Sequence, residues 1–206
     1  NPNTTKGILI PAVSFIATVN VTQMITEYTA VYDVDFNGLI DLSTLNEPLH
    51  DKFDTLMYVN LFGNTVDYDK FRVTTEFFNE DMYIIEDAAQ SFGASFRGIP
   101  SGKMGDVSVL SFDPTKNLPN YGSGGMILTD DADIAEHFLD LRDNGKRNHH
   151  EFPGTNSKMS EVDCAQMLVK LKYFDSWQKR RAEIAEYYSD NLDGPLVIPQ
   201  VDMNVE

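Results

Sequence analysis

Short apolar runs alternate with longer amphipathic stretches along most of the chain. Apolar residues recur at helical spacing in residues 15–28 and in several later segments. Strands that alternate with helices are typical of βαβ units, so the pattern predicts an α/β fold with a mainly parallel sheet. The runs that favour strands cover residues 8–12, 29–34, 55–61, 83–87, 107–112 and 124–129.

Polar residues at the start of the later helical segments can cap them. Asp67 precedes one helix, and either Asp130 or Asp131 precedes another. From Ser160 onward the spacing is helical through two consecutive helices, which end before a Gly-Pro pair at residues 194–195. The positions expected to share a face are Phe71, Thr74, Phe77 and Phe78; Ile134, Phe138 and Leu141; Val162, Ala165, Val169 and Lys172; and Trp177, Ile184, Tyr188 and Leu192.

Composition narrows the classes of partner. Of the 206 residues, 42% are hydrophobic, which is enough to fill a substantial core. The formal net charge of −16 would repel a nucleic-acid backbone or an anionic membrane, so neither is predicted as a partner. An anionic ligand would need a local site.

The cysteine count and the chain start bear on location. Cys164 is the single cysteine and cannot form an internal disulfide, which favours a reducing compartment and predicts a cytoplasmic protein. No apolar run approaches the roughly 20 residues that cross a bilayer, and the first residues lack the apolar core of a signal peptide. There is no initiator methionine, so we expect a segment of a longer protein or a processed product.

One acidic segment matches part of a calcium-binding loop. Residues 33–41 read DVDFNGLID, the order of the first nine positions of an EF-hand. The twelfth position is Thr44 where a bidentate Glu is needed, and the preceding residues favour a strand where a helix is needed. A polar turn is the favoured interpretation, and a calcium-binding module at Asp33 to Thr44 is a weaker alternative. No cluster completes a metal site around His149 and His150, and no metal is predicted.

Three segments in the middle of the chain carry chemically distinct residues in a fixed order. They read EDAAQ at residues 86–90, GDVSVLSFDPTKNL at residues 105–118 and GSGG at residues 122–125. Each is weak alone, since a lone lysine after a strand is usually a solvated charge. Together they resemble the central pattern of the DegT/DnrJ/EryC1/StrS sugar aminotransferases, E-D-A-A-Q, then G-D-x-x-x-x-S-F-x-x-x-K-N-L, then G-x-G-G.

The resemblance extends over essentially the whole chain. PAVSFIAT at residues 11–18, NLFGN at 60–64, LRDNG at 141–145 and GTNSKMS at 154–160 are each similar to a family segment. The resemblance implies an α/β fold, the three-layer large domain of fold-type I pyridoxal-phosphate-dependent transferases. It also implies that residues 1–193 form this domain without its amino-terminal part, and that residues 194–206 begin a small domain that is absent.

The family pattern assigns the central chemical roles. Lys116 stands where the family has the lysine that attaches pyridoxal 5'-phosphate covalently and moves the substrate proton. Asp87 stands where a carboxylate pairs with the protonated ring nitrogen, which keeps the ring an electron sink. Gln90 matches a side chain near the ring or its 3-oxygen.

The remaining assigned residues concern the ring face and the phosphate. Phe15 matches the aromatic residue that stacks on the ring, although a purely structural Phe15 is an equal alternative because aromatic residues mostly fill cores. Ser111 matches a hydroxyl that binds the cofactor phosphate. Asn156 matches an asparagine that reaches the cofactor of a neighbouring subunit, which implies a homodimer, although its neighbours Thr155, Ser157 and Lys158 depart from the family motif.

As the resemblance implies, the reaction transfers an amino group, commonly from glutamate, to the keto group of a nucleotide-linked deoxysugar. Some relatives are dehydratases with histidine at the lysine position, and Lys116 argues against that branch. The alternative is a catalytically incomplete fragment that acts as a cofactor-binding or oligomerising domain, because the family's S-G-T-x-A-L phosphate-binding turn has no counterpart in this chain.

Overall fold

A computed structural model describes residues 6–45, 52–150 and 152–192. The described part of the chain divides into two compact units, one that runs as far as Leu110 and one that starts at Ser111. The boundary predicted at residue 194 lies outside the described residues.

The first unit is organised around a parallel sheet. Its strands adjoin in the order β2-β1-β3-β4-β7, and every neighbouring pair is parallel. Short strands β5 and β6 form a separate antiparallel pair. The strands of this unit are β1 (Ile8–Pro11), β2 (Thr29–Tyr32), β3 (Thr55–Val59), β4 (Tyr83–Asp87), β5 (Ser95–Phe96), β6 (Ile99–Pro100) and β7 (Val107–Ser111).

Helix α2 (Tyr68–Phe78) covers one face of this sheet. Its Phe71 is fully buried and stacks at a tilt on Tyr58 of β3, with ring centroids 4.5 Å apart. Leu9 and Ile84 from neighbouring strands join the same apolar cluster. Alternate residues of a strand point to opposite faces, so this cluster uses only one side of each strand.

Helix α1 (Ile16–Ile25) lies on the other face. Ile8, Ile10 and Met57 form a second buried cluster, and Val19 of α1 packs against it. Helices on both faces of a parallel sheet give the three-layer α/β arrangement that was predicted, so the fold class is confirmed.

The element types were predicted correctly, and the main error in this unit concerns a side chain. Helix α1 is shorter than residues 15–28, because Thr26 is already extended. Asp67 caps α2 as predicted, by accepting a hydrogen bond from the Lys70 N–H at 3.1 Å. Phe77 was expected beside Phe71 but is 90% exposed.

The second unit contains strand β8 (Gly125–Leu128) and helices α3 (Ala132–Leu141), α4 (Glu161–Leu171) and α5 (Phe174–Asn191). Asp131, and not Asp130, caps α3, because its Oδ1 accepts from the N–H groups of Asp133 and Ile134. Ser160 caps α4 through the Asp163 N–H.

The apolar face predicted for α4 is not buried within this unit. Val162 is 78% exposed and Val169 is 54% exposed, whereas Met167 is buried. The α5 positions Ile184, Tyr188 and Leu192 are also exposed. Helical spacing identified both helices correctly but did not identify the side that packs within this unit.

Gly105 allows β4 and β7 to approach closely. A Cβ at this position would lie 2.8 Å from the Val107 oxygen, 2.9 Å from the Glu86 nitrogen and 3.0 Å from the Ile84 oxygen. All three are backbone atoms, so a methyl group fits only if the strands shift.

We expect Gly105→Ala to lower the free energy of unfolding by about 1–3 kcal/mol, the usual cost of overpacking. Gly122→Ala is the matched control, because no heavy atom lies within 4 Å of its Cβ position. Chemical denaturation would measure both. Equal effects of the two substitutions would contradict the close approach.

Candidate functional site

The carboxyl ends of the parallel strands in the first unit bring Asp87 to the edge where α/β proteins bind ligands. Asp87 is the last residue of β4, and its Oδ1 accepts the Ala89 N–H at 3.0 Å. Its backbone carbonyl accepts the N–H of Asn60, which follows β3, at 3.1 Å. The carboxylate is therefore oriented by its own turn and by the end of the neighbouring strand.

Asp87 also acts electrostatically on a buried phenol. Burial raises the pKa of Tyr32 well above its ordinary value, and the negative charge of Asp87 raises it further. The Tyr32 hydroxyl donates to the Met57 carbonyl at 2.9 Å. Tyr32 therefore remains a neutral hydrogen-bond donor near the carboxylate.

Gln90 is held by a turn with unusual backbone geometry. Its Oε1 accepts the Phe62 N–H at 3.0 Å. Phe62 has a φ of 60°, in the left-handed region that is costly for a bulky side chain. Because the carbonyl oxygen of the amide is engaged by the backbone, the Gln90 NH₂ group is the part suited to donate to a ligand.

Phe15 occupies the N-cap position of α1 and is 70% exposed. It does not belong to either hydrophobic core cluster of the first unit. An exposed ring beside a helix start is available to contact a flat ligand.

Glu86 precedes Asp87 on β4 and points to the opposite face, because consecutive residues of a strand alternate between the two faces. Its side chain is 0% exposed. Its oxygens accept five hydrogen bonds, from Asn60 Nδ2, Ser101 Oγ and Gly102 N–H at Oε1 and from Met104 N–H and Ser108 Oγ at Oε2.

A tight turn carries Ser111, the last residue of β7, and Lys116. The Asp113 N–H donates to Ser111 Oγ at 3.3 Å, and the Lys116 N–H donates to the Asp113 carbonyl at 2.9 Å. Hydrogen bonds from the Thr115 side chain and backbone lower the pKa of Asp113, and the charge of Lys116 lowers it slightly further. The turn therefore presents a hydroxyl and a primary amine from one short segment.

The loop after Lys116 is fixed by α4 and α5. Lys170 Nζ donates to the Pro119 carbonyl at 2.6 Å, and Arg181 donates to the Asn117 carbonyl at 3.0 Å. Gln166 also donates to the side chain of Asn120. The sequence motifs predict no role for these α4 and α5 side chains, because their effect depends on contacts with a distant part of the sequence.

Asn156 lies on an extended segment next to the end of α3. It forms an antiparallel β-bridge with Asp143. On either side of it, the Thr155 N–H donates to the Leu141 carbonyl at 2.7 Å and the Ser157 N–H donates to the Arg142 carbonyl at 3.0 Å. The Asn156 side chain is exposed. Its action on a neighbouring subunit stays a prediction.

The acidic loop that resembles an EF-hand uses its carboxylates within its own turns. Asp35 Oδ1 accepts the N–H groups of Asn37 and Leu39, and Asp41 Oδ1 accepts from Ser43. The loop follows strand β2, not a helix. Among the residues that the structure describes, no group of three or more His, Cys, Asp and Glu side chains could hold a metal ion.

Within the same residues, no helix combines the length and the apolar character that a membrane crossing requires.

Comparison with known proteins agrees with the fold and the motifs. The profile of the DegT/DnrJ/EryC1/StrS aminotransferase family matches residues 3–204. The chain is 33% identical over 208 residues to a dTDP-3-amino-3,4,6-trideoxy-alpha-D-glucose transaminase of Streptomyces venezuelae, covering 95% of this chain and 53% of that protein. It is 32% identical over 193 residues to a dTDP-3-amino-3,6-dideoxy-alpha-D-galactopyranose transaminase of Aneurinibacillus thermoaerophilus, covering 92% and 53%.

A solved structure gives the same answer. The chain superimposes on a DegT DnrJ EryC1 StrS aminotransferase from Brucella abortus with a TM-score of 0.88 and 27% identity, covering 97% of this chain and 56% of that one. The chain spans about half the length of the curated relatives it matches. With a profile match across nearly all of its residues and a matching fold, the chain belongs to the DegT/DnrJ/EryC1/StrS aminotransferase family.

Proposed function

We propose that the protein transfers an amino group to the keto group of a nucleotide-linked deoxysugar, with pyridoxal 5'-phosphate as its cofactor and glutamate as the amino donor. The observation that carries the proposal is the family match over residues 3–204 with a lysine, Lys116, at the position of the family's cofactor lysine. The names of the two dTDP-sugar transaminases support the substrate class.

The residue types fit the proposed cofactor. The basic ring nitrogen of the cofactor needs a carboxylate, its aldehyde needs a primary amine, and its phosphate needs hydrogen-bond donors. The chain supplies each of these groups: the Asp87 carboxylate, the Lys116 amine, and the Gln90 amide and Ser111 hydroxyl as donors. No donor in this set is of the wrong chemical type.

Lys116 would bind the cofactor covalently and, as a free amine, accept and return the substrate proton. When bound, pyridoxal phosphate supplies an electron sink for the charge that is left when this proton departs. The turn through Asp113 fixes the backbone at Lys116, while the long side chain keeps the freedom that proton movement requires.

Asp87 would hold a proton on the ring nitrogen, because a nearby carboxylate favours the charged form of that nitrogen. The Gln90 NH₂ would donate to a polar atom of the ring system. The exposed Phe15 would stack on one ring face and exclude water from it.

Ser111 would donate to the cofactor phosphate. In a homodimer, Asn156 would donate to the phosphate of the neighbouring subunit's cofactor. We place the protein in the cytoplasm, which fits its single, unbridged Cys164. We also propose that residues 1–193 belong to the large domain of a longer enzyme.

We expect Lys116→Ala to abolish the visible absorbance that borohydride bleaches in the pyridoxal-phosphate-loaded protein. We also expect transamination to fall at least about 100-fold, because both attachment and proton transfer are lost. Lys179→Ala, an exposed lysine of α5, is the control and should leave both unchanged. A Lys116→Ala protein that keeps the bleachable band would refute the assignment.

We expect Asn156→Ala to weaken pyridoxal phosphate binding by roughly 10- to 100-fold, since a hydrogen bond to a charged group contributes roughly 1.5–3 kcal/mol. Mixing Lys116→Ala chains with Asn156→Ala chains tests the action across subunits. If Asn156 acts on its neighbour, the mixed dimer contains one intact site and regains activity. Absence of rescue in verified mixed dimers would place Asn156 within its own subunit's site.

A further inference from the structure

Glu86 is a buried acid that the proposed chemistry does not use. Backbone N–H groups reach both of its oxygens, Gly102 at Oε1 and Met104 at Oε2, each at 2.9 Å. A glutamine would turn an amide N–H toward one of them in either orientation, and a backbone N–H cannot become an acceptor. The site therefore requires a side chain that only accepts hydrogen bonds.

One branch of this network leads to Asp87. Asn60 donates its side-chain amide to Glu86 at 2.8 Å and its backbone N–H to the Asp87 carbonyl at 3.1 Å. The Asn60 Oδ1 accepts the Val66 N–H at 3.1 Å, so both ends of this buried amide are engaged. Glu86 therefore orients Asn60, and Asn60 in turn fixes the end of β4, from which the Asp87 side chain starts.

A second branch reaches Gln90 from two sides. Ser101, which donates to Glu86 at 2.8 Å, is within 2.6 Å of the hydroxyl of Ser91, the residue after Gln90. The turn that begins at Asn60 supplies the Phe62 N–H to Gln90 Oε1. A change at Glu86 would therefore move both the backbone beside Gln90 and the group that holds its side chain.

We infer that Glu86 is the positioning residue for the cofactor-facing edge of the first unit, setting the placement of Asp87 and Gln90 without touching the ligand. This inference rests on the proposed function. In addition to that function, one carboxylate on the opposite face of β4 sets the positions of the two side chains that would contact the cofactor.

The test measures the equilibrium binding of pyridoxal phosphate to the apo protein, at a temperature where circular dichroism shows every variant folded. Glu86→Gln should weaken binding about tenfold or more. Ser101→Ala, which removes one hydroxyl and creates no opposed donors, should weaken it about threefold. Ile84→Val, a mild change at another buried position of β4, is the control for lost packing and should stay within about twofold.

A double-mutant cycle separates positioning from general destabilisation. If Ser101 acts through Gln90, then Ser101→Ala should have little further effect on binding in a Gln90→Ala protein. Additive effects on binding would overturn the inference. The cycle does not depend on Glu86→Gln, so it decides the question even where that variant does not fold.

The outcomes distinguish the two proposals. A wild-type protein that binds no pyridoxal phosphate would refute the proposed function and this inference with it. A wild-type protein that binds normally, with Glu86→Gln and Ser101→Ala matching Ile84→Val, would refute the inference alone.

Discussion

A carboxylate removed from water must have all its hydrogen bonds supplied by the protein, and in the first unit that requirement falls on Glu86. Its donors come from the end of β3, from the segment between β6 and β7 and from β7 itself. Segments far apart in sequence are thereby held to one strand, β4. The same strand ends in Asp87, the residue proposed to hold a proton on the ring nitrogen.

The α/β layers explain why this arrangement is possible. Alternation along β4 sends Glu86 to one face and Asp87 to the other, so a structural acid and a chemical acid can be consecutive residues without sharing a site. Gly105 lets β7 approach β4 closely enough for Ser108 to reach Glu86 at 2.7 Å. The close packing of β4 against β7 therefore explains the glycine at position 105. The hydrogen bonds that Glu86 accepts explain the acid at position 86.

Much of this could be predicted from the sequence, and the limits have physical causes. The strand and helix types followed from periodicity, and Asp67 was identified as a cap because a short polar side chain can bond to the start of its own helix. These are local effects. Phe77 and the α4 face are exposed, and periodicity could not show this, because it identifies an apolar stripe and not the surface that the stripe packs against.

The residues of the candidate site also fall into those that the sequence predicts and those that only the structure shows. Lys116, Asp87 and Ser111 could be identified because their spacing resembles a family motif, whereas composition alone would have left Lys116 as a surface charge. The Glu86 network could not be predicted, because Asn60 and Ser108 lie 26 and 22 residues away along the chain. Only tertiary structure brings those donors to one carboxylate.

The loop that carries Lys116 has a consequence for the order of folding. Its backbone carbonyls are bound by Lys170 and Arg181, which lie 51 and 64 residues further along the chain from the carbonyls they bind. Such distant contacts form only after the entropy of closing a long loop has been overcome. During synthesis, therefore, the segment that presents the amine leaves the ribosome well before the helices that fix it, and its final geometry is set late.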